Sequence, residues 1–315
     1  MYNWSMELKR HFLQSEEWEG FQRELRKEVW RRSGEEWEFM AVREKTAIGD
    51  YLYVPYGPSF VDEESAREAF RELKKLAGEA GAFFVRVEPV KGVSAGVLRE
   101  MGFRKIKEVN PEFTWCVDLA GTEEEILMGM KQNNRNLWRG YERKGLKVRK
   151  STGVEDLKYL TTLLRGVAKN NGVNLHDEEY LRKQMEAGIG VLYLAEFAGE
   201  VVAASMVYDL EGVRYYAHAA ADFEHRKLSA GTVLVVEMMM DAKRSGMREF
   251  DFYGVTVSED PGHDWYGFTK FKKGFGGSLR EYLGTWDLPI NRVKYAGFKR
   301  LRAVNRAVRK IRARR

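Results

Sequence analysis

The chain has 315 residues, about twice the usual length of one domain, which predicts two domains that each bury a core. Its 44% hydrophobic and 32% charged residues, with only 6 prolines, are typical of a folded globular protein and exclude long disordered tracts. The single cysteine, Cys116, excludes a disulfide framework and any cysteine-based zinc or iron–sulfur centre. The N-terminal segment lacks the apolar core of a secretory signal, so we expect a cytoplasmic protein.

Positive charge is concentrated at the C-terminal end of the chain. The whole sequence has a formal net charge of +6, but residues 290–315 contain 11 basic residues and no acidic one. The rest of the chain holds 42 basic against 47 acidic residues and is therefore acidic overall. Any attraction to RNA or to an anionic lipid surface is accordingly expected from the C-terminal segment.

The first half of the chain alternates between helix and strand patterns. Apolar residues at helical spacing predict helices, and short aromatic or β-branched runs between turn signals predict strands. In chain order we expect a helix over 15–32, strands over 37–42 and 51–56, a helix over 62–79, a strand over 82–88, a short helix over 94–101, strands over 103–107 and 114–119, and two helices between Thr122 and Gly145.

The second half repeats this plan, which predicts an α/β fold (mixed α+β) of two tandem domains, 1–150 and 151–289, related by duplication. A basic C-terminal helix, 290–315, follows and is expected to pack back on the first domain. The expected elements are helices over 154–170 and 177–187, strands over 191–197, 201–208 and 213–219, a long helix over 229–244, a strand over 248–253, a Gly-rich aromatic stretch, and a strand over 279–286.

The sequence Arg-Lys-Leu-Ser-Ala-Gly at 226–231 comes just before the long helix of the second half. Small residues let a helix N-terminus approach a ligand, and its free N–H groups beside Arg226 and Lys227 predict a pyrophosphate site. The segment is similar to the R-x-x-G-x-G/A loop with which GNAT N-acetyltransferases bind coenzyme A, with Ser229 in place of the first glycine. An ordinary helix start with a solvated arginine is the alternative interpretation.

Six motifs occur in an order and spacing that resemble one family, the FemABX aminoacyl transferases, over more than 260 residues. They are Phe12-Leu13-Gln14-Ser15-x-x-Trp18, the run from Tyr51 to Pro58, Asp118-Leu119, Arg135-x-x-x-Arg139, Phe250-Asp251-Phe252-x-Gly254, and Gly267-Phe268-x-x-Phe271-Lys272-x-Gly274-Phe275-Gly276. The resemblance implies two GNAT-like domains with mixed sheets flanked by helices. No inserted coiled-coil arm separates the halves, which favours the FemX-like branch.

The activity that this resemblance implies is the transfer of an amino acid from aminoacyl-tRNA to an amino group of a peptidoglycan precursor stem peptide. The acceptor is UDP-MurNAc-pentapeptide or a lipid-linked precursor, and both alternatives stay open. An aminoacyl ester is already activated, so the enzyme has to align two substrates and stabilise an oxyanion. We therefore expect no cofactor and no metal, and the histidines show no ligand spacing.

Lys272 is the leading catalytic candidate. Phe271 and its aromatic neighbours can exclude water while the Lys272 ammonium stabilises the oxyanion or protonates the departing ribose oxygen. Asp118 matches an acidic position that the family offers as a base for the attacking amine.

Four residues are candidates for substrate binding. Arg226 is expected to bind the precursor pyrophosphate, and Tyr216 and Tyr253 to hydrogen-bond sugar or peptide groups. Relatives that bind UDP-linked precursors tend to carry a lysine eight residues after the Gln of the first motif, where this chain has Gln22. That position therefore offers a weaker contact to a pyrophosphate.

The terminal helix combines an apolar stripe with a cationic face. Apolar residues recur three and four positions apart, namely Tyr295, Phe298, Leu301, Val304, Val308 and Ile311. Such a helix can offer phosphate contacts to tRNA, or lie peripherally on the anionic inner face of a membrane.

Two other functions fit the sequence. One is a duplicated GNAT-type enzyme that transfers an acyl group from acyl-CoA to an amine, which the Arg226 segment favours. The other is a non-catalytic Fem-like module that binds cell-wall precursors or RNA. Tight acetyl-CoA binding without a tRNA response would identify the first, and precursor binding without turnover the second.

Overall fold

The computed structural model describes residues 8, 10–90, 93–171 and 177–312. The chain divides into two compact units, and the first is made from both ends of the sequence. Unit 1 consists of Met1–Glu112 and Tyr282–Arg315, and unit 2 of Phe113–Glu281. Each contains a mixed seven-stranded sheet with helices packed against it, so the predicted α/β class is confirmed.

Unit 1 is built on a sheet in the order β1-β2-β3-β5-β14-β6, with β4 paired to β2. Among the strand pairs described in this sheet, only β3–β5 is parallel. The strands are β1 Val29–Ser33, β2 Trp37–Thr46, β3 Gly49–Val54, β4 Ser59–Phe60, β5 Phe84–Val87, β6 Arg104–Lys105 and β14 Trp286–Pro289. The helices are α1 Glu16–Glu24, α2 Glu63–Glu79, α3 Ala95–Glu100 and α10 Arg292–Arg312.

The core of unit 1 lies between its sheet and α2. This helix starts at an Asp62–Ser65 capping box and buries its apolar stripe, including Phe70 and Leu73, on the sheet. Beneath the C-terminal strand, Arg86 and Asp287 form a buried bidentate ion pair with N–O distances of 2.8 and 2.9 Å. Since two bonds and a buried partner satisfy each charge, the pair fixes the register of β14 on β5.

Unit 2 is built on a sheet in the order β13-β7-β12-β11-β10-β9-β8, and β11–β12 is the one parallel pair in the part of the unit that the structure describes. The strands are β7 Phe113–Asp118, β8 Leu146–Ser151, β9 Val191–Phe197, β10 Glu200–Leu210, β11 Val213–Ala221, β12 Glu249–Gly254 and β13 Ser278–Glu281. The helices are α4 Glu123–Gly129, α5 Gln132–Arg139, α6 Leu157–Asn171, α7 Glu178–Glu186, α8 Ala230–Arg244 and α9 Tyr266–Lys272.

Helix α8 forms the centre of the unit 2 core. It crosses over between the parallel strands β11 and β12, and most of its residues from Val233 to Ala242 are fully buried. A fully buried arginine, Arg214, bonds Asp209 and Asp241 and also donates to the Met238 carbonyl at 3.0 Å. Helix α8 leads into β12, and β12 carries the site described below.

The same order of strands and helices occurs in both units. Strands β1 to β3, helix α2 and the parallel strand β5 correspond in order and direction to β9 to β11, helix α8 and β12. Among the described strand pairs, each unit thus places a helix between the two strands of its one parallel pair. This recurrence agrees with the expected duplication.

The boundary predicted at residue 150 differs from the observed one. Strand β7, which precedes that boundary, pairs with β12 and β13 of unit 2. Strand β14 returns to unit 1 and pairs with β5 and β6. The predicted strand over 279–286 is accordingly two strands, β13 and β14, in different sheets.

Three local expectations also differ from the structure. The predicted helix over 15–32 ends at Glu24, and β1 follows it. Strand β8 was not predicted, and the Gly-rich aromatic stretch contains helix α9. Arg26 at the end of the first helix has a φ of 57°, a left-handed conformation that stops the helix.

The basic C-terminal helix α10 packs on unit 1 through two aromatic residues. Tyr295 and Phe298 contact Phe84 with ring centroids 5.3 and 5.2 Å apart. The Tyr295 hydroxyl also donates to Asp287 at 2.8 Å. The side chains of Val308 and Ile311, which the sequence places on the apolar stripe, lie outside the described residues. Within the described ranges, no helix has the length and apolar character needed to cross a bilayer.

Candidate active site

The candidate site lies where the parallel strands β11 and β12 of unit 2 separate. Their ladder ends at the Tyr215–Asp251 pair, although β11 continues to Ala221 and β12 to Gly254. Both strands have an irregularity just beyond this point. The β10–β11 register shifts by one residue at Ala217, and the β7–β12 register shifts between Asp251 and Gly254. Such bulges redirect side chains and are frequent next to active sites.

Lys272 reaches this end of β12 from the last turn of α9. Its ammonium donates to the Gly254 carbonyl with an N–O distance of 2.6 Å. Burial lowers the pKa of Lys272 to about 8, while the charge of Asp251 acts in the opposite direction. Among the described residues, this one bond leaves two further N–H groups of a half-buried cation for a ligand.

Aromatic packing and close backbone contacts hold the segment around Lys272. Phe275 is fully buried, stacks on Phe252 at 5.4 Å, and packs edge-on against Phe271 at 5.0 Å. Gly276 has a φ of 81°, and a Cβ there would lie 2.9 Å from the Gly129 carbonyl oxygen. The Phe-Lys-x-Gly-Phe-Gly motif is therefore a close-packed anchor that places the Lys272 side chain.

Asp251 was not predicted as a site residue. It lies on β12, three residues before the Gly254 carbonyl that binds Lys272. It is 1% exposed, accepts a short hydrogen bond from the Thr114 hydroxyl, and accepts from the Tyr253 N–H at 2.7 Å. The second bond holds Tyr253 in a left-handed conformation, φ 63°, which is rare for a tyrosine. Asp251 thereby sets the path of the backbone that presents the Gly254 carbonyl to Lys272.

A group of possible metal donors surrounds Asp251. Ligand atoms of Cys116, Glu249 and Asp251 lie within 4.8 Å of one another. Burial raises the pKa of the Cys116 thiol, so it remains protonated and is a poor nucleophile and metal ligand. Glu249 is bound by both arms of Arg280 at 2.6 and 2.5 Å. The group is therefore a hydrogen-bonded network that supports the β7–β12 pairing.

Polar side chains line the neighbouring part of unit 2. The Tyr208 hydroxyl donates to Gln184 on α7 at 2.7 Å, and His218 Nε2 lies 3.0 Å from the same hydroxyl. Tyr253 interacts electrostatically with Tyr208. The predicted Tyr216 instead packs its ring against Phe252 at 5.7 Å, and burial raises the pKa of Tyr216 to about 12.

Arg226 lies on the short loop between β11 and α8. It is exposed, with its guanidinium 4.3 Å from the ring centroid of Phe223. Ser229, at the position of the first glycine of the GNAT loop, has a φ of 54° and makes no side-chain cap to α8. The loop therefore keeps the left-handed conformation that favours glycine, and the first N–H groups of α8 have no side-chain cap.

The structure does not bring Asp118 to Lys272. Thr114 pairs with Gly254 near Lys272, whereas Asp118 pairs with Glu249 at the other end of β7. Four residues of strand separate the two ends by about 13 Å. The exposed Asp118 carboxylate accepts from the Ala120 N–H at 2.8 Å and acts as a turn residue. Gln22 belongs to unit 1, where it is buried on α1.

Sequence comparison finds one protein-family model and several known proteins that are similar to this chain. The model of the FemAB family matches residues 194–302. The lipid II:glycine glycyltransferase of Staphylococcus epidermidis is 22% identical over 325 residues, which cover 77% of this chain and 77% of that protein. The aminoacyltransferase FemA of Staphylococcus aureus is 35% identical over 94 residues, which cover 29% of this chain and 22% of that protein.

Solved structures agree with the sequence relatives. A crystal structure of FemX superposes with a TM-score of 0.82 at 18% identity, covering 92% of this chain and 95% of that one. A tandem GNAT protein from the clavulanic acid biosynthesis pathway superposes with a TM-score of 0.50 at 13% identity, covering 82% and 81%. These matches agree with the resemblance that the motifs predicted: the chain is similar to the FemAB family over residues 194–302, and its fold is like those of FemX and of the tandem GNAT protein.

Proposed function

We propose that the protein transfers an amino acid from aminoacyl-tRNA to an amino group of a peptidoglycan precursor stem peptide. The observation that carries the proposal is the Lys272 ammonium, held half-buried by a single backbone carbonyl where β11 and β12 separate. The lipid II:glycine glycyltransferase among the relatives supports a precursor acceptor. UDP-MurNAc-pentapeptide and a lipid-linked precursor are the two acceptor forms to be compared.

Lys272 is the catalytic residue in this proposal. The acceptor amine attacks the ester carbonyl carbon, and the carbonyl oxygen becomes negatively charged in the tetrahedral intermediate. The Lys272 ammonium, with N–H groups not used by Gly254, stabilises this oxyanion. The bond from carbon to the ribose oxygen then breaks, Lys272 donates the proton that this oxygen takes up, and the amide remains.

Asp251 and Phe271 are positioning residues. Asp251 holds the Tyr253 N–H and so directs the Gly254 carbonyl, which in turn holds Lys272. Phe271 fixes the α9 end through its contact with Phe275. Asp118 is not proposed as the base, since it lies at the other end of β7. The proton that the attacking amine loses passes to solvent in this scheme.

Arg226 and Tyr253 are proposed to bind the acceptor. Arg226 is exposed beside the uncapped start of α8, which suits a diphosphate group. Tyr253 directly precedes Gly254, whose carbonyl binds Lys272, and the left-handed backbone of Tyr253 departs from the ordinary strand alternation. Tyr216 is retained as a packing residue behind the site.

The direct test supplies the purified protein with charged tRNA and each acceptor form. We expect an amide product, detected by mass spectrometry, with at least one combination of amino acid and acceptor. Uncharged tRNA mixed with the free amino acid is the matched control and gives no product. Absence of product across the common amino acids and both acceptors contradicts the proposal.

A second candidate, acyl-CoA-dependent N-acyl transfer, is favoured by one observation. Ser229 keeps the left-handed conformation at the start of α8, where the GNAT loop carries glycine. Calorimetry with acetyl-CoA separates the two candidates, because the aminoacyl-tRNA mechanism needs no coenzyme A site. Tight binding of acetyl-CoA with no product from charged tRNA identifies the second function.

A further inference from the structure

Unit 1 has a basic cavity beside its C-terminal helix. The cavity has a volume of about 240 Å³ and is lined by Arg104, Pro289, Arg292, Tyr295, Ala296 and Lys299. The side of α10 that carries Tyr295 and Phe298 packs on the unit, so the cavity lies along the edge where the helix meets β6 and the end of β14.

The three cations around this cavity are not neutralised by protein. Arg104, Arg292 and Lys299 are exposed and form no ion pair with a carboxylate among the described residues. Nearby, the buried Arg86 is fully paired with Asp287. Residues 290–315 provide no acidic side chain at all. Three like charges around one cavity repel each other, and an anion bound between them reverses this cost.

The outward side of α10 is apolar as well as basic. Val293 is 83% exposed and Val304 58% exposed, although both are aliphatic residues of a helix that packs through other side chains. They are eleven residues apart, about three helical turns, and therefore share a face with Arg300, which lies four residues before Val304. Exposed aliphatic residues flanked by cations are typical of helices that bind a membrane surface.

We propose that this cavity and the outer face of α10 bind an anionic phospholipid bilayer. The cavity cations contact lipid phosphates, and Val293 and Val304 enter the boundary between headgroups and acyl chains. RNA fits less well, because these valines gain no apolar burial on a phosphodiester backbone, and the part of this face described through Val304 offers no exposed aromatic side chain for base stacking. The inference rests on the proposed function in one respect: membrane binding would give the transferase access to a lipid-linked acceptor.

Vesicle co-sedimentation of the 315-residue chain tests the inference. Vesicles of phosphatidylcholine with 30 mol% phosphatidylglycerol are compared with vesicles of phosphatidylcholine alone. We expect binding to the anionic vesicles only, and a decrease of about thirty-fold in the partition coefficient for Arg104→Ala/Lys299→Ala, since each cation near such a surface contributes roughly five-fold. The control Lys74→Ala/Lys147→Ala removes two exposed cations elsewhere and keeps most of the binding.

The apolar contribution is tested separately. Val293→Ser/Val304→Ser should weaken binding several-fold even in high salt, where the charge contribution is screened. The control Val109→Ser/Val257→Ser replaces two other exposed valines and leaves binding unchanged. Any of four results overturns the proposal. The first two are equal binding to neutral vesicles and unchanged binding of both test variants. The others are loss of vesicle binding in millimolar inorganic phosphate, and a defect of Arg104→Ala/Lys299→Ala that affects tRNA binding alone.

The outcome is independent of the proposed function. Aminoacyl transfer to a soluble nucleotide-linked acceptor requires no membrane, and vesicle binding requires no turnover. Vesicle binding without amide product leaves the lipid site intact and contradicts the transferase. Amide product without vesicle binding supports the transferase and contradicts the lipid site.

Discussion

The lowered pKa of Lys272 predicts an unusual pH dependence of aminoacyl transfer. Both proposed roles of Lys272 need its protonated form, so activity should fall as pH rises through the pKa of about 8. A lysine with this pKa is ~91% protonated at pH 7 and ~9% at pH 9, which predicts a decrease of about ten-fold over that interval. A solvated lysine would remain charged throughout.

The assay is single-turnover transfer measured from pH 6.5 to 9.5, for the wild type and for Lys272→Arg. The guanidinium stays charged over this range, so the variant is slower but lacks the alkaline decrease. The acceptor amine and the ester have their own pH dependences, and these cancel in the ratio of the two rates. A ratio that does not change with pH refutes the reasoning, because it shows that titration of Lys272 does not limit the reaction.

Three further variants test the supporting contacts. Asp251→Asn removes the negative charge that raises the pKa of Lys272, so the alkaline decrease in the transfer rate should begin below pH 8. A lower rate with an unchanged pH dependence would mean that Asp251 is only structural. Gly277→Ala should decrease the free energy of unfolding by more than ~2 kcal/mol, because φ is +84° and a Cβ would lie 2.2 Å from the Cys116 carbonyl oxygen. Gly78→Ala, in an open helical position, is the control for thermal unfolding and should be neutral or stabilising. Arg226→Ala should raise the KM for the precursor at least ten-fold and leave kcat within about three-fold, since Arg226 is proposed to bind a diphosphate remote from the reacting atoms. An unchanged KM would remove Arg226 from the site.

Local patterns predicted the parts of the structure that depend on nearby residues. Helix α2, Glu63–Glu79, was predicted over 62–79, and α8, Ala230–Arg244, over 229–244. The Phe-Lys-x-Gly-Phe-Gly motif indicated Lys272 as a catalytic candidate through the family resemblance, and this role stays a prediction.

Long-range pairing could not be predicted in the same way. The alternation in residues 279–286 indicates extended chain, but it does not say which sheet each part joins. Asp251 and Thr114 are 137 residues apart and meet only because β7 pairs with β12. The resemblance made Asp118 a candidate base for the reaction at Lys272. The β7–β12 register, which the local sequence does not reveal, shows that the two residues lie at opposite ends of the strand pair.

The most direct test of the central claim compares Lys272→Met with the wild type at pH 7 under saturating charged tRNA and acceptor. Methionine preserves the length and apolar stem of the side chain and removes the ammonium. We expect the single-turnover rate to fall by at least ~100-fold while the dissociation constant for the acceptor is unchanged. A rate within about three-fold of the wild type would show that the reaction does not depend on this cation.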